Sequence, residues 1–337
     1  MTTAPARIAI VTVSEDIHAY AVRKSLEDRH GITCEIIETD RFPDSGHLTW
    51  SLSESFAPTL PSLKGREVDV RALDLVWFRR PSGMSWHAPF RPVLPADIVD
   101  ETAIDIIVSD CRATFIGILL NEFRGIWVSH PDCTRNAENK LVQLRAAQQA
   151  GLRLPQTLIS QNADSIRQFC AALNNQVLVK TTAGTRRAPL TPGQVDATLL
   201  ASDRALRLSP AIYQEMIPGN RHLRVHVFGN KFYTAMIRCD HLDWRFHLAE
   251  SVVEPYELSA DMEARLSQVL RSLGLRMGIF DIKLTPDGEP VWLEVNPQGQ
   301  FLFIEGLSDI DLKNAFADFL VREITKESNV KMVAGRC

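Results

Sequence analysis

The 337-residue chain has the composition of a soluble globular protein with room for two or three compact domains. Apolar residues make up 45% of it and charged residues 23%, which excludes an intrinsically disordered chain. The 37 Lys and Arg residues against 41 Asp and Glu leave a formal charge of -4, so no general attraction to nucleic acid or to an anionic membrane is expected.

No segment has a targeting or membrane-spanning pattern. The apolar run at Arg7–Val13 is too short for a signal peptide, and no other run approaches the ~18 apolar residues of a membrane span. The cysteines are scattered without a C-x-x-C pair, which favours reduced thiols over a zinc site or a disulfide framework. We therefore expect a cytoplasmic protein that binds neither nucleic acid nor membranes.

Strand and helix patterns alternate through residues 1–127, the first of three predicted units. In chain order they are a strand over Arg7–Val13, a helix from Glu15 to Gly31 capped by Ser14, a strand at TCEIIETD, a period-two segment at HLTWSLS, a buried strand at LDLVWFRR and a helix over Asp97–Phe123. The first three elements form a βαβ pattern. At the end of their strand, Arg79 and Arg80 are explained by solvent exposure as readily as by a specific role.

The second unit, residues 128–210, is predicted to be a small α+β domain, and the third, residues 211–326, a domain of antiparallel strands. The second contains a helix over Asn136–Ala150, a strand at QTLIS, a helix over Asp164–Leu173 and a strand at QVLVK that leads into the polar loop TTAGTRRAP. The third contains strands at IYQEMI, HLRVHVF, KFYTAMIR, MGIFDIKL and VWLEVNP, a helix over Ser259–Leu273 and a helix from Asp309 to about Thr325. The polar tail, residues 327–337, is expected to fray.

The turn signal at Asp287-Gly288 predicts how the last two strands pair. A two-residue hairpin turn at this position places Asp281 opposite Glu294 and Ile279 opposite Asn296. Asn296 is then a diagonal neighbour of Asp281 on the same face, because side chains alternate along a strand. Three oxygen-bearing side chains are therefore expected to converge.

The two opposed carboxylates need neutralisation. At ~5 Å they repel by about 3 kcal/mol in an effective dielectric of ~20. Lys283 on the same face, or an Arg from elsewhere, would suffice; Mg²⁺ held by the oxygens of Asp281, Glu294 and Asn296 is the alternative. The pairing alone leaves both explanations open.

Other segments supply the parts of a nucleotide site. Lys140 lies on a predicted helix, and Lys180 ends a strand just before the Gly-containing loop, so the two can neutralise a triphosphate while the loop closes over it. The segment YQEMIPGN could present backbone groups to an adenine edge. Arg224 and His226 share the polar face of their strand, and Arg245 with Asp243 follows the partner strand, which suggests a second, anion-handling group of cations.

Together these residues resemble the ATP-grasp superfamily, and more narrowly the ligases that make graspetides, the ribosomal peptides with ester or amide crosslinks of the microviridin type. The broad features are Lys140, Lys180, Gln214-Glu215, Asp281 in FDIK, and Glu294 with Asn296 in LEVNP; the narrower ones are VWFRRP, DWR at Asp243–Arg245, and NPQGQFLFIE. The resemblance spans nearly the whole chain. It implies an α/β (α+β) ATP-grasp fold with an N-terminal pre-ATP-grasp domain, a small central α+β domain and a C-terminal antiparallel-sheet domain.

The resemblance also implies roles for individual residues. Lys140 and Lys180 would contact ATP phosphates, and Gln214, Glu215 and Ile217 would form the adenine-binding hinge strand. Asp281, Glu294 and Asn296 would hold Mg²⁺, while Arg224 and Arg245 would lie near the γ-phosphate and the acceptor carboxylate. His222 stands where similar ligases place an acid against the ribose, so this contact is expected to differ. The VWFRRP segment gives Arg79 and Arg80 a structural or peptide-facing role.

The implied reaction uses ATP and Mg²⁺ to activate a carboxylate as an acyl phosphate, which a hydroxyl or amine then attacks to release phosphate. In a graspetide synthetase both groups belong to one precursor peptide with a leader and a core, and the product is a ring through Asp or Glu and Thr, Ser or Lys side chains. Such ligases are often homodimers. The alternative is a ligase of free amino acids or a tail-adding enzyme of the ribosomal-modification or glutathione-synthetase type. A non-catalytic nucleotide-binding module is disfavoured because Asp281, Glu294, Asn296 and both lysines are present.

Overall fold

The computed structural model describes residues 6–42, 46–53, 55–63, 65–81, 93–183 and 190–334, with side chains described as far as residue 327. Two compact units are present. Unit 1 takes the described residues of Met1–Pro131, Gln300–Leu302 and Asp311–Cys337, and unit 2 those of Asp132–Gly299 and Phe303–Ile310. The loop residues 184–189, part of the predicted phosphate-covering loop, lie outside the described residues.

Strands and helices follow one another along the chain much as the patterns predict. The first elements are β1 (Arg7–Thr12), α1 (Ile17–His30), β2 (Thr33–Glu38), β3 (Thr59–Pro61), β4 (Glu67–Asp69), β5 (Leu75–Phe78), α2 (Glu101–Glu122) and β6 (Ile126–Val128). The next are α3 (Pro131–Ala137), α4 (Lys140–Gln149), β7 (Thr157–Ser160), α5 (Ala163–Ala172), β8 (Val177–Thr181), β9 (Gly193–Gln194), α6 (Ala197–Ala201), α7 (Asp203–Arg207) and β10 (Ala211–Glu215). The last are β11 (Arg221–Phe228), β12 (Lys231–Arg238), β13 (Val252–Pro255), α8 (Ala260–Ser272), β14 (Met277–Leu284), β15 (Pro290–Asn296), α9 (Leu302–Leu307) and α10 (Leu312–Ala334).

Unit 1 is built on a parallel sheet with strand order β2-β1-β5-β6. The predicted βαβ opening is confirmed, and the strands are apolar runs because both faces of such a sheet are covered. Helix α1 ends at Gly31, whose φ of +62° is the left-handed conformation that glycine adopts easily. Among the described residues no helix is both long and apolar enough to cross a membrane.

Several predicted boundaries in unit 1 are wrong. Ser14 does not cap α1: its hydroxyl donates to Asp40, and the cap is Asp16, which accepts from the amide of His18. The period-two segment at HLTWSLS forms one bridge, between Thr49 and Thr59, in place of a strand. Helix α2 begins at Glu101 because Asp100 caps it. Helix α10 continues to Ala334, past the predicted end at Thr325.

The two arginines at the end of β5 are buried and do not meet solvent. Arg79 is 0% exposed, and its Nε donates to the Asp16 carboxylate at 2.5 Å, with the guanidinium 5.1 Å from the ring centroid of Trp77. Arg80 is also buried, and burial lowers its pKa to about 10. Their solvent-exposed interpretation is therefore wrong, because the cap of α1 supplies a buried counterion. A peptide-facing role for them stays a prediction.

Unit 2 contains two antiparallel sheets. The smaller has strand order β7-β10-β8-β9 and packs against α5 through Ile166, Cys170, Val177 and Tyr213. Strand β10, predicted to open the third domain, pairs with β7 and β8 and so belongs to this sheet. The predicted domain boundaries themselves remain predictions.

The larger sheet has strand order β13-β12-β11-β14-β15 and carries the polar face of interest. Its apolar face packs against α4 and α8 in one core that includes Leu223, Val225 and Val227. Because side chains alternate along β11, His222, Arg224 and His226 lie on the opposite face. The helix predicted over Asn136–Ala150 is interrupted: α3 ends at Ala137, and Asn139 caps the new helix α4.

Candidate active site

The hairpin of β14 and β15 sets the position of the carboxylates. Asp281 lies opposite Glu294 and Ile279 opposite Asn296, as predicted. The predicted two-residue turn is wrong, however: the amide of Gly288 donates to Thr285 O at 2.9 Å, and that of Thr285 donates to Glu289 O at 3.0 Å. The connection therefore has three residues, with Gly288 at a φ of +87°. A register shift between Asp281 and Ile282 compensates for the longer turn, so the carboxylates still face each other.

Arg224 neutralises Asp281. The two residues are opposite one another on β11 and β14, and Nη1 of Arg224 lies 2.8 and 2.7 Å from the two carboxylate oxygens. The guanidinium carbon lies 5.7 Å from the ring centroid of Trp244 and 5.9 Å from that of Phe303, so two aromatic side chains hold it in place. Burial raises the pKa of Asp281, and Arg224 opposes that shift.

Lys140 neutralises Glu294. Its Nζ, at the first turn of α4, donates to Oε2 of Glu294 at 2.5 Å. Lys140 holds the pKa of that carboxyl at about 2, helped by Arg245 and Lys180 and opposed by burial. The carboxylate pair is thus neutralised by cations from other elements, Arg224 for Asp281 and Lys140 for Glu294. Lys283, the other cation considered, lies opposite His222 and Val291.

Lys180 belongs to the same electrostatic group. Its Nζ donates to Oε1 of Gln214 at 2.6 Å, and Nε2 of Gln214 donates to the hydroxyl of Thr157 at 3.0 Å. Burial lowers the pKa of Lys180, while the charge of Glu294 opposes that shift and the charge of Lys140 adds to it. Lys140 is paired with Glu294, whereas the hydrogen-bond partner of Lys180 is a neutral carboxamide, so Lys180 leaves a positive charge that favours the binding of an anion.

Arg245 lies in the loop that joins β12 and β13. Its Nε and Nη2 donate to the two oxygens of Asp243 at 2.8 and 2.6 Å, a forked pairing that fixes the guanidinium plane. Asp243 raises the pKa of Arg245, which therefore stays charged, and Glu294 and Asp281 act in the same direction. The loop thus presents a permanent cation in the field of both sheet carboxylates.

The predicted hinge residues lie at the end of β10, which contains Gln214 and Glu215, and just after it, at Ile217. Oε2 of Glu215 accepts the amide of Gln156 at 2.9 Å, and the amide of Met216 donates to Gln176 O at 2.9 Å. Ile217 is buried beyond them. The carboxylate of Glu215 is thus already hydrogen-bonded to the backbone of Gln156. An adenine contact at this strand stays a prediction for the backbone groups and Ile217.

The two histidines on the polar face of β11 are neutral. Burial lowers the pKa of His222 to about 4, with Lys283 acting in the same direction, and lowers that of His226 to about 3. His226 Nδ1 lies 3.0 Å from Tyr233 O, which fixes a proton on that nitrogen. The expectation that His226 adds a second cation beside Arg224 is therefore wrong. Within the part of the chain that the structure describes, the buried Nε2 of His222 has no hydrogen-bond partner, and its predicted ribose contact remains a prediction.

Comparison with solved structures identifies this architecture. No protein-family model matches the chain, and no curated protein does. The macrocyclase MdnC from Microcystis aeruginosa, solved with the precursor peptide MdnA, is 25% identical over 94% of this chain and 99% of that chain, with a TM-score of 0.82. A ribosomal-peptide-associated ATP-grasp ligase of Chryseobacterium gregarium, solved with ADP and a leader and core peptide, has a TM-score of 0.82 at 21% identity over 94% and 97%. The ATP-grasp ligase PsnB, solved with a minimal-precursor variant, Mg and ADP, has a TM-score of 0.73 at 24% identity over 94% and 98%.

The chain has an ATP-grasp fold. The resemblance to graspetide synthetases, first drawn from motifs, thus extends over nearly all of it. In the ATP-grasp fold of this protein, the polar face of the larger sheet brings Asp281, Glu294 and Asn296 together with Arg224 and Lys140.

The oxygen set of this face fits Mg²⁺. Two carboxylates and one carboxamide oxygen are the hard donors that this ion prefers. Asn296 accepts the amide of Gln298 through Oδ1 at 3.0 Å, but its buried Nδ2 has no hydrogen-bond partner among the described residues. Buried polar atoms are normally paired, and this nitrogen is a donor, so the partner that it lacks is an acceptor such as a phosphate oxygen, whereas a metal ion could contact only Oδ1. The assignment of these three residues as metal ligands remains a proposal.

Sequence reasoning missed the side chains that hold the site in shape. Gln143 is buried one turn after Lys140; its Nε2 donates to Ala137 O at 2.6 Å, and its Oε1 accepts the amide of Val295 at 3.2 Å. It therefore fixes α4 against the strand that carries Glu294. The spacing from Lys140 to Gln143 puts both on one helix face and is the only signal the sequence offered.

Proposed function

We propose that this protein is an ATP-dependent carboxylate ligase that macrocyclises a ribosomal precursor peptide. The observation that carries the proposal is the match to the macrocyclase MdnC over 94% of the chain at a TM-score of 0.82. MdnC is bound with its precursor peptide, and the related ligases are bound with ADP or with Mg and ADP. The proposed partner is accordingly a precursor peptide with leader and core, and the proposed nucleotide is ATP.

The cations of unit 2 account for nucleotide binding in this proposal. Lys140 and Lys180 would exchange their present partners, Glu294 and Gln214, for phosphate oxygens. That exchange leaves the Glu294 carboxylate available to Mg²⁺, which Asp281 and Asn296 would hold with it. The ion supplies neutralisation of the phosphate charge when it is bound.

Arg224 and Arg245 orient the acceptor in the same proposal. A peptide carboxylate is a poor electrophile, so one of its oxygens first takes the γ-phosphoryl group of ATP, which gives an acyl phosphate and releases ADP. A hydroxyl or amine of the same peptide then attacks the acyl carbon and loses its proton, and phosphate leaves. Phosphoryl transfer depends mainly on positioning and charge stabilisation, which two fixed guanidinium groups provide. Holding both reacting groups in one bound peptide raises their effective concentration, so the enzyme needs no nucleophile of its own.

The test is the intact mass of a candidate precursor after incubation with the protein, ATP and Mg²⁺. A suitable candidate would be a short peptide, rich in Thr and in Asp or Glu, encoded in a reading frame next to the gene. We expect losses of one water mass per ring, abolished in Glu294→Gln. Glu289→Gln, which removes a carboxylate from the exposed turn of the same hairpin, is the matched control and should keep full turnover. Turnover unchanged in Glu294→Gln would contradict the site assignment.

The same assay separates the alternative. ADP formation with free amino acids in the absence of any peptide, together with an unchanged peptide mass, would identify a ligase of free amino acids. The resemblance to peptide macrocyclases over nearly the full chain weighs against this outcome.

A further inference from the structure

The loop between β12 and β13 gathers two imidazoles and a carboxylate that the proposed ligase reaction does not use. His241 and His247 stack with their ring centroids 3.5 Å apart and their planes 9° from parallel. Both face one carboxylate: Nε2 of His241 lies 2.9 Å from Oε2 of Glu250, and Nδ1 of His247 lies 3.2 Å from Oε1. One ligand-type atom from each residue lies within 4.8 Å of the other two.

Packing does not account for this arrangement. The side chains of His241, His247 and Glu250 are 43%, 35% and 64% exposed, so little apolar surface is buried by bringing them together. Exposed ion pairs add little stability, and fixing three side chains in one place opposes it through lost rotamer entropy. A function that needs all three groups at one point explains the convergence better.

The donor set suits a transition metal and not the hard ion of the ATP-grasp site. Two imidazole nitrogens and one carboxylate oxygen are a three-ligand set of Zn²⁺, with a fourth position left for water. Ligand atoms ~2.1 Å from a tetrahedral ion lie ~3.4 Å from one another, so the ligand atoms need to move by only ~1 Å. A ligating imidazole nitrogen points at its ion in the plane of its own ring, however, so one of the two stacked, exposed rings must also rotate before both can bind the same ion. Mg²⁺ selects oxygen donors and is excluded by this chemistry.

We propose that His241, His247 and Glu250 form a binding site for a divalent transition-metal ion of the Zn²⁺ class. Its ligands come from both ends of the segment that contains Asp243, Trp244 and Arg245. Trp244 packs over Arg224, and its ring centroid lies 5.8 Å from that of Phe303, so a bound ion ties down the loop that carries these side chains. The relevance of this loop to catalysis rests on the proposed function, whereas the metal site itself does not.

The test is a titration of the untagged, chelator-treated full-length protein with Zn²⁺ by calorimetry, with Co²⁺ as the spectroscopic substitute. We expect one bound ion per chain and a roughly tenfold or larger loss of affinity in His241→Ala and in His247→Ala. His30→Ala is the matched control, because His30 pairs with Asp318 at 2.8 Å but has no second imidazole in that pair. Its Zn²⁺ affinity should equal that of the wild type.

Limited proteolysis gives a second measurement of the same site. Trypsin cleavage after Arg245 should slow when Zn²⁺ is bound, and a large excess of Mg²⁺ should not reverse the effect. Wild-type affinity in both His→Ala variants, no binding at all, or a Co²⁺ spectrum dominated by thiolate charge transfer would overturn the proposal. None of these measurements uses peptide or ATP, so failure here is distinct from failure of the ligase assay.

Discussion

His18 offers a sharp test of how unit 1 is held together. The side chain is 4% exposed, and its Nε2 accepts two amides, those of Phe301 at 3.0 Å and Leu302 at 3.2 Å. An acceptor at Nε2 requires neutral imidazole with its proton on Nδ1, which lies 3.6 Å from Oδ1 of Asp16. Burial lowers the pKa of His18 to about 4; Arg79 adds to this shift and Asp16 opposes it.

The direction and size of the pH effect follow from that pKa. The unfolded chain takes up a proton near pH 6.5 and the folded chain near pH 4, so stability is full above about pH 6.5 and falls as the pH drops through this interval. Between pH 7 and pH 5 the loss amounts to about 2 kcal/mol, and it approaches about 3.4 kcal/mol below pH 4, from 2.5 pKa units at ~1.36 kcal/mol each.

Two variants separate titration from hydrogen bonding. His18→Gln keeps an acceptor without a titrating group, whereas His18→Phe keeps a ring without an acceptor. Urea unfolding at pH 5, 6, 7 and 8 should show the Gln variant losing about 2 kcal/mol less than wild type between pH 7 and pH 5. The Phe variant should be destabilised by about 2–6 kcal/mol at pH 7, since two buried amides lose their acceptor at ~1–3 kcal/mol each.

The difference between wild type and His18→Gln isolates this group, because His222 and His226 titrate equally in both proteins. An identical pH dependence in wild type and His18→Gln would refute the assignment of His18 as a buried neutral acceptor. A Phe variant as stable as wild type at pH 7 would show that the two amides need no acceptor.

Two further predictions concern the candidate active site. Arg224→Met leaves the Asp281 carboxylate buried without its counterion and should destabilise the protein by about 3–5 kcal/mol in urea unfolding. The double variant Arg224→Met, Asp281→Asn should recover most of that loss, and a double variant no more stable than Arg224→Met would contradict the pairing. Lys180→Met should weaken ATP binding by roughly tenfold or more in calorimetry, and it should lower the unfolding free energy by about 1–3 kcal/mol because the buried carboxamide of Gln214 loses its donor. Lys231→Met, on the exposed start of β12, is the control that should bind ATP normally.

The local patterns predicted most strands and several helices because their signals are contained within a few residues. The alternation in HLRVHVF placed Leu223, Val225 and Val227 in the core and Arg224 on the polar face, as found. The pairing of Asp281 with Glu294 was also correct, although through two errors that cancel. A larger turn shifts the register by one residue and a bulge restores it, and a bulge leaves no clear mark on the sequence.

The remaining contacts depend on residues far apart in the chain. His18 and Phe301 are separated by 283 positions, and Lys140 and Glu294 by 154, so no local pattern could join them. Arg79 was open to a solvent interpretation because its counterion, Asp16, lies 63 residues earlier and looks like an ordinary helix cap. The charge of His226 was misjudged for a related reason: burial on both sides of a central strand decides its protonation, and the sequence shows only its type.

The fate of carboxylate oxygen tests the central claim most directly. The Asp and Glu side chains of the candidate precursor are labelled with ¹⁸O, and the phosphate released with ATP and Mg²⁺ is analysed by mass spectrometry. Activation as an acyl phosphate predicts one ¹⁸O atom in phosphate for every ring formed, because the oxygen that bonded phosphorus leaves with it. Ring formation accompanied by the release of unlabelled phosphate would contradict the account. So would a labelled peptide whose mass is unchanged after incubation.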